Sequence, residues 1–228
     1  MKTWLISDTH CQHWHLTPPK DVELVIHAGD ESSSHAPYQN EIECRDFLDW
    51  FSKLDIKHKI FIAGNHSAAI SEKLVTRKEI EDMGIFFLEH EYLDLEGKRF
   101  FGSPYSIGFG SWYFMVRRDK IGKYWDVLEE GIDVLISHGP PRGILDMAGI
   151  RGGGVEHCGD AALYKRVQEV KPKWVVFGHI HNNPYGDTNI NSGLFFPGNS
   201  VTKYCNASVV EDKRIESGVI NNGYVIEL

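Results

Sequence analysis

Seven side chains of metal-binding type recur in one arrangement along this 228-residue chain. Asp8 and His10, Asp30, Asn65, His138, and His179 with His181 each stand just after a short apolar run. The runs are Trp4-Leu5-Ile6-Ser7, Val22 to Ala28, Ile60 to Ala63, Ile132 to Ser137 and Trp174 to Phe177. Carboxylate, amide and imidazole donors without a thiolate suit Mn, Fe, Zn, Co or Ni better than Ca, and do not choose among them. One catalytic ion takes about three protein ligands plus water, so seven donors imply two divalent ions. Mn²⁺ is the first expectation, with Fe, Zn, Co, Ni or Mg as alternatives. A carboxylate can bridge two ions about 3.5–4 Å apart, and such a pair can hold a hydroxide while polarising a phosphoryl oxygen.

The elements that must position these groups follow from the runs themselves. Each is rich in Val, Ile or aromatics and stops where a loop begins, which reads as a strand buried on at least one face. Ligand sites of α/β sheets collect at the carboxyl ends of strands, so five such ends can face one crevice. Within Asp8-Thr9-His10 and His179-Ile180-His181, the i and i+2 spacing puts both side chains on one side of an extended backbone. Helical spacing of Ile42, Phe47, Leu48, Phe51 and Leu54 predicts a helix over 41–54. Further helices are predicted from about Ser71 to Met83 and from Asp160 to Val170, where Pro172 stops the last. Ile85 to Leu88, Tyr92 to Leu95 and Arg99 to Gly102 read as shorter strands, with Glu96-Gly97 as a hairpin turn. Phe195 to Val210 and Gly223 to Leu228 read as closing strands, with Asn221-Asn222-Gly223 as a turn. The alternation of strand and helix predicts right-handed crossovers and two packed sheets with helices outside.

Composition narrows the function classes. No linker or repeat divides the chain, and the motifs run from Asp8 to His181, so one domain over residues 1–228 is expected. The 24 basic and 32 acidic residues give a net charge of -8, which argues against a nucleic-acid or anionic-membrane binder. Apolar stretches fall far short of the roughly 20 residues of a membrane helix, and Met1-Lys2 leads into a strand instead of a secretory apolar region. A soluble, cytoplasmic protein is expected. Cys11, Cys44, Cys158 and Cys205 are too scattered for a zinc motif and too few for a disulfide framework, so free thiols are expected. The sequons at Asn65 and Asn206 are read as chance matches.

The ordered motifs Asp8-x-His10, Gly29-Asp30, Gly64-Asn65-His66, His138 and Gly178-His179-x-His181 resemble those of the calcineurin-like metallophosphoesterase superfamily. Gly102-Ser103-Pro104, Ser137-His138-Gly139-Pro140-Pro141, Gly143-Ile144-Leu145-Asp146 and Asn206-Ala207-Ser208 resemble its metallophosphoesterase-domain-containing branch, and the likeness covers nearly the whole chain. The resemblance implies a four-layer α/β/β/α sandwich of two mixed β-sheets flanked by helices. It implies one ion on Asp8, His10, Asp30 and His181 and a second on Asp30, Asn65, His138 and His179, with Asp30 bridging. His66 would be no ligand but the catalytic group that protonates the leaving oxygen or stabilises its charge. The implied activity is phosphodiesterase hydrolysis of a small diester, such as a cyclic nucleotide, by in-line attack of a metal-bridging hydroxide. A phosphomonoesterase, a protein phosphatase and a non-catalytic scaffold are the rival readings. Ser67 stands where many relatives carry an acid after Gly-Asn-His, so the resemblance supplies no carboxylate to orient His66. Some branch members lose activity with the first histidine of Gly-His-x-His, and His179 is intact.

Other candidates have plainer readings beside functional ones. His13, and less so His15, could contact substrate, although loop histidines are usually just solvated. His27, at a strand end, reads as a packing or outer-sphere residue. Tyr105 to Phe114 could stack a nucleobase or pack an irregular segment. Arg117, Arg118, Arg142 and Arg151 could hold a phosphate or simply face water. Gly152-Gly153-Gly154 lacks the following Gly-Lys-Ser/Thr of a phosphate loop and reads as a flexible loop or lid.

Overall fold

The computed structural model describes residues 1–150, 152–181, 191–198, 200–211 and 218–228, so Arg151 lies outside the described residues. In chain order the strands are β1 (Lys2–Ile6), β2 (Leu24–His27), β3 (His58–Phe61), β4 (Phe86–Phe87), β5 (Glu91–Leu95), β6 (Lys98–Ser103), β7 (Ser106–Ile107) and β8 (Met115–Val116). They continue with β9 (Val134–Ser137), β10 (Met147–Gly149), β11 (Val155–His157), β12 (Trp174–Phe177), β13 (Gly193–Phe195), β14 (Lys203–Asn206) and β15 (Tyr224–Glu227). The helices are α1 (Pro37–Ser52), α2 (Ala68–Ser71), α3 (Arg77–Asp82), α4 (Gly122–Trp125) and α5 (Ala161–Val170).

Two mixed sheets result. The first runs β15, β1, β2, β3, β4, with β15 antiparallel to β1 and the other pairs parallel. The second runs β13, β14, β12, β9, β6, β5, with antiparallel edge strands on a parallel centre. Alternation along each strand explains the layering, because successive side chains point to opposite faces. Leu24 and Ile26 of β2 face Val134 and Ile136 of β9 in a core between the sheets. Val25 turns outward to Phe47 and Phe51 of α1, while Leu135 turns outward to Leu163 and Val167 of α5. Three apolar cores therefore separate four layers, the α/β/β/α sandwich. A one-residue slip in β2 or β9 would exchange inner for outer side chains, so burial on both faces pins the register.

The local expectations hold in outline and fail at ends. The first helix starts four residues earlier than its apolar spacing suggests, because Pro37 sits in the first turn, where no N–H is required. The helix predicted over 71–83 is instead two short helices, α2 and α3. Thr76 opens α3 with a capping box to Glu79 and thereby breaks the run. The third helix matches: Asp160 caps α5 through the N–H groups of Ala162 and Leu163, and Lys171 takes a left-handed φ of 50° ahead of Pro172. Glu96 and Gly97 both have positive φ, 49° and 71°, as a two-residue hairpin between β5 and β6 requires. Gly152, Gly153 and Gly154 belong to the tip of the β10–β11 hairpin. All four cysteines are free, with Cys44 and Cys205 buried. No helix among the described residues is long and apolar enough to cross a membrane.

Candidate metal centre

Five parallel strands of the two sheets end at one place, where their loops meet across the seam. Asp8 follows β1, Asp30 follows β2, Asn65 and His66 follow β3, His138 follows β9, and His179 and His181 follow β12. The backbone ties these loops together: Asp8 N donates to Gly29 O at 2.8 Å and Gly178 N to His138 O at 3.0 Å. Ser7 bridges to Ser208, joining the end of the first sheet to the end of the second. Asp8, His10, Asp30 and His179 carry positive φ of 52°, 41°, 59° and 67°. Four non-glycine residues in this region within one cleft mark backbone strain, which costs about 1–3 kcal/mol at each position and persists where function needs it. The glycines of the motifs have a steric reason. A Cβ at Gly29 would stand 2.5 Å from His138 Nδ1, and one at Gly178 would collide with Asp8 Oδ2.

The side chains converge as two trios, Asp8 with His10 and His181, and Asp30 with His138 and His179, each with donor atoms within 4.8 Å of one another. In the first, His181 Nε2 lies 2.8 Å from Asp8 Oδ1 and 3.3 Å from His10 Nε2. In the second, His138 Nε2 lies 3.3 Å from Asp30 Oδ2 and 2.9 Å from Asn65 Oδ1. Ligands about 2.1 Å from a common ion stand about 3.0–3.4 Å apart at tetrahedral or octahedral angles, so these spacings fit coordination. Asp30 Oδ2 also lies 4.0 Å from His10 Nε2, between the trios, while Asp30 Oδ1 accepts from His66 N at 2.7 Å. That division leaves Oδ2 facing both groups.

Outer contacts aim the donors inward. His10 Nδ1 donates to Ser32 O at 2.8 Å and His138 Nδ1 to Ala28 O at 2.9 Å, so in both rings Nε2 faces the cleft. Ser208 Oγ donates to Asp8 Oδ2 at 2.9 Å. Burial works to raise the Asp8 and Asp30 pKa values, yet the neighbouring histidines, His181 for Asp8 and His138 for Asp30, hold both well below the carboxylate range. Burial pushes His10 and His179 down to about 3. Burial also opposes charge on His138, but the Asp30 carboxylate outweighs it and lifts the ring to about 9. A cation bound there must displace that proton, as metal binding commonly does.

His66 sits over the first trio, 4.9 Å edge-on from the His10 ring. Its Nδ1 donates to Ser33 O at 3.1 Å, which directs Nε2 away from that carbonyl. Ser67 does not replace an orienting acid: its hydroxyl donates to Glu31 Oε2 at 2.6 Å and accepts from Gly64 N at 2.9 Å, bracing the loop from behind. Burial raises Glu31 to about 7. His13 is not brought to the cluster. Its ring is buried against Trp14, Phe47 and Trp50, with Nε2 3.2 Å from Asp46. His27 packs on Phe47 and meets Thr9 Oγ1 at 3.0 Å, an outer-sphere place as expected.

Residues that motif reading passed over also build the centre. Asn40 of α1 donates to His66 O at 2.6 Å and accepts from Ala69 N at 2.8 Å, pinning the loop to a helix remote in sequence. Ser208 lay inside a quoted motif, at a strand end, and that was its available signal. Beside His179 and His181 opens a cavity of about 540 Å³, walled by Ile107, Phe109, Met147, Ile150 and Leu163 with Arg118 and Glu156. Phe109, 68% exposed, lies 5.5 Å from the His179 ring.

Residues 1–183 match the family model of the calcineurin-like phosphoesterases. The chain belongs to that family. It is a metal-dependent phosphoric ester hydrolase family with a dinuclear divalent metal site. The chain is 29% identical to metallophosphoesterase domain-containing protein 1 of Homo sapiens, over 90% of its own length and 64% of the human protein's. It is 30% identical to the UPF0046 protein C25E10.12 of Caenorhabditis elegans, over 91% of itself and 75% of that protein. These likenesses place it in the metallophosphoesterase-domain-containing branch. The crystal structure of TT1561 from Thermus thermophilus shares the fold, with a TM-score of 0.57 at 10% identity over 91% of this chain and 88% of that one.

Proposed function

We propose that this calcineurin-like phosphoesterase is a phosphodiesterase that hydrolyses a small diester at a two-ion centre. The supporting observation is the pair of ligand trios with Asp30 Oδ2 facing both, set beside an apolar cavity. Asp8, His10, Asp30 and His181 would hold one ion, and Asp30, Asn65, His138 and His179 the other, with Asp30 common to both. Mn²⁺ is the first candidate. When bound, such ions generate a nucleophile from water at neutral pH and polarise the phosphoryl oxygens.

The chain's own residues supply the rest. With Nδ1–H engaged by Ser33 O, His66 Nε2 carries a proton only in the imidazolium, so the protonated ring can donate from Nε2 to the leaving oxygen. The cavity is large enough for one organic arm of a diester, within the roughly 300–1,000 Å³ of small-ligand sites. A monoester's single organic arm departs on the oxygen beside His66, which does not line this cavity, whereas a diester has a second arm for it to hold; that favours the diester, a cyclic nucleotide among the candidates. Both sheets contribute donors, so we read residues 1–228 as one domain. Four free thiols suit a reducing, cytoplasmic setting.

The test is hydrolysis of bis-p-nitrophenyl phosphate by metal-stripped protein before and after Mn²⁺, with p-nitrophenyl phosphate in parallel. Activity restored by metal and greater on the diester is expected. Greater activity on the monoester would make the protein a phosphomonoesterase, and two bound ions without activity on either ester would favour the scaffold.

A further inference from the structure

The geometry points to Trp112 as a positioning residue for His66, an inference that rests on the hydrolase reading above. The indole lies close against the imidazole, with ring centroids 4.2 Å apart and the planes tilted by 36°. His35 stacks on the same indole at 4.6 Å and 24°. Trp112 belongs to the loop between β7 and β8, and that loop is tied to the centre it serves. Tyr113 N donates to Asn65 O at 3.2 Å, the peptide just ahead of His66, and Ser106 N donates to Phe114 O at 3.1 Å.

The physical need for such a contact lies in the imidazole torsion. The outer torsion of histidine is broad, so a rotamer well does not define the plane of the ring. A hydrogen bond from Nδ1 to Ser33 O anchors one edge, and a contact on the ring face restrains tilt about that edge. A hydrogen bond prefers a donor angle above about 150° and weakens steeply below about 120°, so large tilt at Nε2 costs acid catalysis directly. Trp112 restrains that tilt by covering the ring face, while His10 meets the ring edge-on at 4.9 Å. The neighbouring Ser67 hydroxyl is turned toward Glu31 and Gly64 and has no part in it. Trp112 meets His66 and His35, and through His66 it would act on the reaction.

The experiment compares two aryl diesters on the full-length protein loaded with Mn²⁺. The p-nitrophenolate of bis-p-nitrophenyl phosphate departs as a stable anion, whereas the phenolate of diphenyl phosphate depends on protonation. Trp112→Ala is expected to lower kcat/KM on diphenyl phosphate about tenfold more than on bis-p-nitrophenyl phosphate, a fraction of what a general acid contributes. Trp112→Phe, which keeps an aromatic face, restores most of the difference, and Trp112→Leu, which fills the space without one, does not. In a His66→Ala background, Trp112→Ala should cause no further selective loss. A second readout needs no turnover: in metal-free protein the His66 ring proton, identified by its loss in His66→Ala, is shifted upfield by the indole and moves back in Trp112→Leu. Equal losses on both esters, additivity with His66→Ala, or an unshifted His66 resonance would each overturn the inference. A wild-type protein inactive on both esters overturns the hydrolase reading and this role with it, whereas an active wild type whose ester ratio ignores Trp112 overturns this role alone.

Discussion

Asp30 carries two duties through two oxygens: Oδ1 holds the His66 backbone and Oδ2 faces both trios. Asp30→Asn should therefore lower metal content at both positions and reduce kcat by at least about 100-fold, the upper loss seen when even an outer-shell partner is removed. Elemental analysis of the dialysed variant beside its turnover rate checks this. His27 gives a prediction about stability. Burial holds its ring down to about 3, whereas an unfolded histidine titrates near 6.5. As pH falls below that value the unfolded chain takes up a proton that the folded ring refuses, so stability is lost toward acid. Between pH 7 and 5 this one ring accounts for about 2 kcal/mol. Urea titrations of metal-free protein at the two pH values should show that decline, and His27→Phe should decline less by about that amount.

At the scale of elements, loop ends carry the chemistry and helix starts set them. Asp160 shows the second part, capping α5 while accepting from Trp125 Nε1 at 2.7 Å. Asp160→Ala loses a cap and leaves a buried indole donor unpaired, an expected cost of about 2–4 kcal/mol. Asp160→Asn keeps the cap through its one carbonyl oxygen but turns an amide nitrogen toward the Trp125 donor, so it should recover only the capping part of that cost, as urea unfolding midpoints would show. Element type was legible where pattern and punctuation agreed: β12 spans the predicted Trp174–Phe177, and α5 runs from its Asp160 cap almost to Pro172. Boundaries were not legible where chain termination depends on side-chain bonding. The Thr76–Glu79 capping box split one predicted helix, and Pro37 extended another beyond its apolar stripe. The closing strands were placed loosely for a similar reason: β13 and β14 are short, and neighbour pairing bounds them more than their own residues do.

Across the whole molecule, the centre lies on the seam between two sheets, with donors from both. Ions bound there would tie the sheets together as well as serve the proposed chemistry. Two sites each filled at a hundred times the dissociation constant would add about 5 kcal/mol, raising Tm by roughly 10–20 °C for a chain of this size. Thermal unfolding with Mn²⁺ and with a chelator should show the difference, and Asp30→Asn should remove most of it. Strand periodicity and side-chain chemistry are local properties, so the candidate ligands, their order and their place at strand ends could be read from the chain alone. Gly29, Gly64 and Gly178 were legible in the same way, since each stands beside a donor within its motif. Which of the candidate ligands share a trio follows from packing, since Asp8 meets His181 across 173 positions of chain, and before packing only the resemblance implied that grouping. Packing also sealed His13 among Phe47 and Trp50, let Asn40 pin His66, and laid Trp112 against that ring. Those contacts join loops from different sheets and helices, and a distance across a packed seam is set by how the layers stack, which no local spacing encodes.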